Sequence, residues 1–269
     1  TILDPKYSYS FQGSPLTSQF VEFYGWMAAN KPAVKKVVCA FPDNQIGHIE
    51  ADITDQAAKA FGFSVADKVF YPPDAKDFVA QAARVKAANP DGFIAMGGGP
   101  ASDSLVTKAV IQSGFTGALL QSAPVPNWFT KAFVSFGDIE GMVSSAYALE
   151  ASPMSAVAQD YWTAYTAKYP DDPPEPLGAN MMSILLAGLQ KAGAIDADAF
   201  AKAVGSGLTY ESPLGPGVMV ARPDLQNTRT VDTVVALSIK QYAGGTYKVI
   251  HAMTVAEATG YLAKFAAGS

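Results

Sequence analysis

Few of the side chains that could do covalent or acid–base chemistry stand at spacings such chemistry needs. His48 and His251 are the only two histidines, far apart in the chain and without a cysteine or second histidine nearby, so no metal-ligand set is assembled locally. No serine sits in a strand–turn–helix nucleophile elbow. Asp171 and Asp172 are adjacent carboxylates, but they fall in the loop DDPPEP, where a solvated turn is the plain reading. Cys39 is the only cysteine, which excludes an intrachain disulfide, and in the run VVCA it reads as a small buried apolar residue. The run Gly97–Gly99 precedes a helical pattern and could receive phosphate at a helix N-terminus. No Lys-Ser/Thr follows it, however, and the spacing is not that of a dinucleotide fingerprint. A close-packed turn that leaves room for a ligand fits better. What remains is neutral: Asn44, Gln45, Gln121, Ser122 and Asn127 as hydrogen-bonding groups and Trp128 as an aromatic platform. That inventory suits noncovalent capture of a small molecule, with no cofactor, no metal and no catalysis.

The elements that position these groups are readable from Lys35 to Gly99. An apolar run, Val37 to Phe41, ends in Pro-Asp-Asn. Ile46, Ile49, Ile53 and Ala57 then recur at helical spacing until Gly62 stops the pattern. A second run, Val65 to Tyr71, breaks at Pro72-Pro73. A helix with Phe78, Ala82 and Val85 on one face ends at Asn89-Pro90, and a third run, Phe93 to Met96, reaches the glycines. Strand, helix, strand, helix, strand at this pitch predicts a parallel sheet with helices on its faces. Ligands of such sheets sit at the carboxyl ends of the strands. The loops Pro42–Ile46, Gly97–Ser102 and Gln121–Pro126 are therefore the expected site.

Before this stretch, Ser14-Pro15 reads as a helix start for Phe20, Phe23, Tyr24 and Met27. After it come a helix over Ser102–Gln112, a short strand at Ala118–Leu120, a loop and helix over Pro124–Phe136, and a strand at Met142–Leu149. Helices are expected at Ser152–Lys168, Asn180–Ala192 and Ala197–Val204, then a Gly/Pro-rich hairpin at Pro213–Ala221. Thr233–Tyr242 and Tyr247–Met253 flank Gly244-Gly245, a strong hairpin signal, and Ala256–Ala266 closes the chain as a helix.

Of 269 residues 49% are hydrophobic and 16% charged, yet no apolar run is long enough to cross a bilayer. The net charge of −5 and the lack of a basic stripe argue against nucleic acid as a partner. The chain opens without an initiator Met or a signal-like segment, as the continuation of something longer would.

In order and separation the elements resemble the substrate-binding proteins of branched-chain amino acid-type ABC transporters, which have the type I periplasmic binding fold. The residues that carry the resemblance are Tyr9–Pro15, Lys36-Val37-Val38 with Asp43 and Gly47, Tyr71-Pro72-Pro73 with Asp77-Phe78, Ala87–Asp91, Gly141-Met142-Val143 and Gly215-Pro216. The resemblance implies an α/β fold: a three-layer lobe, parallel sheet with helices on both faces, plus a partial, mostly helical second lobe, with ligand held between the two. The first lobe is expected over 1–149 with 229–269, and the companion over 150–228. Relatives begin with a stretch that builds most of one lobe's sheet, and this chain does not contain it. An apolar face left uncovered on the companion lobe is expected to favour homo-oligomers.

The resemblance also locates departures. In the amino acid-binding relatives an aromatic residue commonly stands where Ile46 stands, a second aromatic falls near Gly99, and an acid that pairs with the ligand ammonium falls near Ala123. Loss of the acid leaves an ammonium group uncompensated, which costs about 2–5 kcal/mol for a buried pair. With Gly98 and the neutral groups above, this implies a larger apolar or aromatic acid rather than a plain α-amino acid. The implied function is an extracytoplasmic solute-binding component, periplasmic or extracellular, that serves transporter permease subunits. The alternative is a ligand sensor of the same fold read by a receptor or regulator.

Overall fold

The computed structural model describes residues 9, 11, 13, 18–122, 139–147, 154–171, 174, 176–222, 228–231 and 237–268. These divide into two compact units, one of Thr17–Ala146 with Leu237–Ser269 and one of Thr1–Leu16 with Tyr147–Ala236.

The middle strands of the larger unit, Lys36–Pro42 and Gly92–Ala95, are buried almost throughout, as strands covered on both faces must be. β1 (Lys36–Pro42), β2 (Ser64–Tyr71), β3 (Gly92–Ala95), β4 (Ala118–Gln121) and β5 (Val143–Ala146) are mutually parallel in the spatial order β2-β1-β3-β4-β5. β9 (Ser238–Ala243) joins β5 antiparallel, and β10 (Thr246–Ala252) closes that edge. The β9–β10 turn is Gly244-Gly245, with both residues at positive φ (62° and 89°), which suits the twist of a two-residue hairpin.

Helices cover both faces, as the sequence pattern predicts. On one side α3 (Val79–Ala88) and α4 (Gly99–Gln112) set Phe78, Ala82, Val85, Val106 and Val110 against Val38, Ala40, Val69 and Phe93. On the other, α1 (Ser18–Asn30), α2 (Gln45–Phe61) and α8 (Val255–Gly268) pack together, with Phe23, Tyr24 and Met27 fully buried. Cys39 lies in β1, fully buried, and burial pushes its thiol up to about 12, an inert structural residue as expected.

Two local expectations change. α4 begins at Gly99 rather than Ser102, because Pro100 lacks only an N–H that the first turn leaves unpaired anyway. In α2 the apolar recurrence marks the buried face only in part, through Ile53 and Ala57. Ile46 and Ile49 are exposed, while Gly47, Glu50, Ala51, Thr54, Ala57 and Ala58 face inward with Ile53. Small residues let this helix lie close to the sheet, so the large ones turn outward. The helix start at Ser14-Pro15 and the helix over Pro124–Phe136 lie outside the described residues.

The smaller unit carries α5 (Ala156–Lys168), α6 (Pro176–Ala192), α7 (Ala197–Gly205) and an antiparallel sheet of β6 (Thr209–Ser212), β7 (Gly215–Arg222) and β8 (Thr228–Val231). Its core gathers Ile184, Val204, Leu208, Tyr210 and Met219, with Phe11 edge-on to Phe200. Met181, Met182, Leu185 and Leu186 of α6 are exposed.

Candidate functional site

The order β2-β1-β3-β4-β5 means that the chain leaves β1 toward one edge and returns on the other side at β3. Such a switch point opens a crevice outside the carboxyl ends of the two strands, between helices that start on opposite faces. Here those helices are α2 and α4, and the loops are Asp43-Asn44 after β1, Met96–Gly98 after β3 and Ser122 after β4.

Asn44 caps α2, its side chain accepting from the Gly47 N–H at 2.9 Å. Asn44→Ala is therefore expected to lower stability by about 1 kcal/mol in urea unfolding, while Asn44→Asp retains it. Gln45 and Ile46 open the helix, and Ile46 is 56% exposed. Asp43, the exposed acid of this loop, is engaged by His48 Nε2 at 2.9 Å, and the His48 ring stacks on Phe70.

Gly98 and Gly99 lie at the N-terminus of α4. Gly99 has φ 75° and open space where a side chain would stand. Gln121, at the end of β4, is fully buried, its Nε2 3.5 Å from Ser104 Oγ and its Oε1 without a partner among the described residues. Ser122 donates to Asp103 Oδ2 at 3.4 Å. The structure thus brings the Asn44–Ile46, Gly98-Gly99 and Gln121-Ser122 groups to the ends of β1, β3 and β4. Ala123, Asn127 and Trp128 lie outside the described residues.

Four residues that the sequence did not place in the site hold this region. Asp103, one turn into α4, is fully buried. Its Oδ1 accepts from the Gly98 N–H (3.0 Å) and the Tyr71 hydroxyl (3.2 Å). Burial pushes its carboxyl up to about 7, against the pull of those donors. Glu50, one turn beyond Ile46, is buried with Oε2 unpartnered. Burial, with the Asp103 charge behind it, raises this carboxyl to about 8. Tyr71 is fully buried and held well above the ordinary phenol range by burial first and by the neighbouring Asp103 second. Thr54 donates to the Glu50 carbonyl and shares a 2.6 Å hydrogen bond with Tyr24. The sequence offers only a partial signal for Glu50: it stands at helical spacing from Ile53 and Ala57, which are buried, but also from Ile46, which is exposed.

Among the described residues no group of three or more metal-ligating side chains comes together. Among the same residues no helix is long and apolar enough to cross a membrane. In the smaller unit a depression on the β6–β7 hairpin is lined by Thr209, Tyr210, Glu211, Pro216, Gly217 and Val218. Thr209 and Glu211 are exposed there, which is hairpin surface rather than a set of convergent polar groups.

Residues 2–241 match the family described as periplasmic binding protein. The chain belongs to that family. No curated protein sequence matches it. Among solved structures, a leucine binding protein from Thermotoga maritima superposes with TM-score 0.71 at 19% identity, over 88% of this chain and 65% of its own. An extracellular ligand-binding receptor from Rhodopseudomonas palustris HaA2 gives 0.75 at 16%, over 93% and 72%. A solute binding protein of an ABC transporter from Rhodopseudomonas palustris BisB5, in complex with 3,4-dihydroxy benzoic acid, gives 0.64 at 20%, over 89% and 65%. The fold is that of periplasmic binding proteins. This chain spans about two thirds of the length of those neighbours.

Proposed function

We propose that this periplasmic binding protein acts outside the cytoplasm as the solute-binding component of an ABC-type transporter, delivering its ligand to permease subunits. The ligand sits at the carboxyl ends of β1, β3 and β4 and is a carboxylic acid with an apolar or aromatic body rather than a plain α-amino acid. The observation that carries the reading is the family match, joined to a switch point whose loops present neutral groups. Asn44, Gln45, Gln121 and Ser122 offer hydrogen bonds, Ile46 offers an exposed apolar side chain, Gly99 leaves open space, and Gly98 brings its backbone close to Tyr71 and Asp103. The described carboxyls nearby do not serve an ammonium group: Glu50 and Asp103 are buried, and Asp43 is engaged by His48. A structural neighbour that holds 3,4-dihydroxy benzoic acid is consistent with an aromatic acid as the ligand class. Ala123 and Trp128 complete the proposed site, Ala123 where amino acid-binding relatives carry an acid and Trp128 as the aromatic platform.

Calorimetric titration tests this. Leucine, isoleucine and valine are expected to bind weakly or not at all, and 3,4-dihydroxybenzoate or a bulkier aromatic acid more tightly. Ala123→Glu is expected to improve α-amino acid binding by about tenfold, equivalent to about 1.4 kcal/mol. Tight binding of the branched-chain amino acids by the unmodified protein would overturn the ligand class.

A further inference from the structure

The buried carboxyls at the switch point are connected to the loops more closely than core residues need be. Asp103 accepts from Gly98 N–H of the β3–α4 loop, from the Tyr71 hydroxyl at the end of β2, and from Ser122 just past β4. One carboxylate thus ties together three strand ends. The glycines of the β3–α4 loop are fitted to the same cluster. A Cβ on Gly97 would stand 1.9 Å from Glu50 Oε2, and one on Gly98 would stand 2.0 Å from the Tyr71 hydroxyl and 2.8 Å from Asp103 Oδ1. Glu50 Oε2 and Gln121 Oε1, both more than nine-tenths buried, remain without partners among the described residues.

We propose that Asp103 is the positioning residue of the ligand-facing loops, with Glu50 as its proton-linked neighbour, so that the arrangement of Gly97–Gly99 and Ser122 follows the charge of this buried pair. The proposal rests on the reading above that these loops face the ligand. The titratable groups that interact with the pair are Tyr24 from α1, Tyr71 from β2 and the two carboxyls themselves from α2 and α4. All are neutral or anionic, and no described cation forms an ion pair with either carboxyl. The pair therefore has three states. With both carboxyls protonated, Asp103 offers its donors only neutral hydrogen bonds. With Asp103 ionised alone, the bonds from Gly98, Tyr71 and Ser122 are charge-assisted and strongest. With both ionised, two uncompensated charges repel in a dry site. The singly charged state is the one that fixes the loops, and its window runs from about 7 to about 8.

Amide and carboxyl NMR of the isotope-labelled protein from pH 5.5 to 9 reads this without any ligand. The Gly98 amide is expected to shift with a midpoint near 7, and Asp103→Asn to abolish that step. In the same variant the Glu50 carboxyl, raised to about 8 by burial and then by the Asp103 charge, is expected to titrate somewhat lower because the neighbouring charge is gone. Tyr71→Phe removes a donor to the ionised form, so the Gly98 midpoint should rise; this variant serves should Asp103→Asn fail to fold. A Gly98 amide that stays flat in the wild type, or that titrates unchanged in Asp103→Asn or Tyr71→Phe, overturns the proposal. With 3,4-dihydroxybenzoate as probe, Kd is expected to be about 3–10-fold weaker at pH 6 than at pH 7.5 in the wild type and nearly constant in Asp103→Asn. Equal pH dependence in both would also overturn it. If no tested acid or amino acid binds, the solute-binding reading fails, while a titrating Gly98 amide still supports the positioning role and a flat one still removes it.

Discussion

Gly47→Ala is expected to destabilise the protein by about 3 kcal/mol or more, although the same change in an open helix is stabilising. Helix propensity alone favours Ala by about 1 kcal/mol. At Gly47, however, a Cβ would lie 1.9 Å from the carbonyl oxygen of Pro42. That oxygen is backbone at the end of β1 and already accepts from the Asn44 N–H at 2.9 Å, so it cannot swing aside like the tip of a flexible side chain. Either α2 lifts from the sheet, taking Glu50 and Thr54 with it, or the β1–α2 loop loses its turn. Both routes fall among the mechanisms that give large effects. Gly260 in α8 is the control, with nothing near the Cβ position; Gly260→Ala should gain about 0.5–1 kcal/mol. Urea unfolding of the two variants side by side decides the matter. A Gly47→Ala protein as stable as the wild type would mean that α2 does not pack against the end of β1 as described.

Stability is expected to fall by several kcal/mol between pH 5 and pH 8.5. Glu22 and Glu50 are raised to about 8 and Asp103 to about 7, in each case first of all by burial. For each group the folded state holds a proton that the unfolded chain has already released. Stability from the neutral form is therefore fully present below the ordinary carboxyl value of about 4, and it is lost as the pH rises through the folded values. This is opposite in sign to the usual paired carboxylate, whose contribution is lost toward acid. Glu22 shows the effect apart from the site: it is 1% exposed in α1 with Oε2 unpartnered. Glu22→Gln should leave stability at pH 5 little changed and raise it at pH 8 by about 2 kcal/mol, allowing for relaxation around the charge. Thermal or urea unfolding at pH 5, 6.5 and 8 checks both statements. A wild-type profile that is flat or rises over this range would show that these carboxyls are solvated.

The fold was readable because its strands are covered on both faces and its helices are separated by strong breakers. Val37 to Phe41 and Phe93 to Met96 are continuous apolar runs, Val65 to Tyr71 is apolar apart from Asp67 and Lys68, and Gly62, Pro72-Pro73 and Asn89-Pro90 punctuate them. The same logic located the strand ends, and with them Asn44–Ile46, Gly98-Gly99 and Gln121-Ser122. It did not find Asp103 or Glu50, because apolar periodicity assigns polar residues to the solvent. It placed Ile46 and Ile49 among the helical repeats of α2 without seeing that Gly47, Ala51 and Ala58 would win the buried face. Burial of a carboxyl depends on what the topology brings over it, and that information lies in β2, β3 and α4 rather than in the helix that carries Glu50.

The central claim, that a small acid is held at the carboxyl ends of β1, β3 and β4, is tested most directly by amide-shift mapping with 3,4-dihydroxybenzoate. The expected result is saturable shifts concentrated at Asp43–Ile46, Gly97–Gly99 and Gln121-Ser122, reduced or absent with leucine at the same concentration. Shifts confined instead to the Thr209–Val218 hairpin, or larger at the strand ends with leucine than with the aromatic acid, would contradict it.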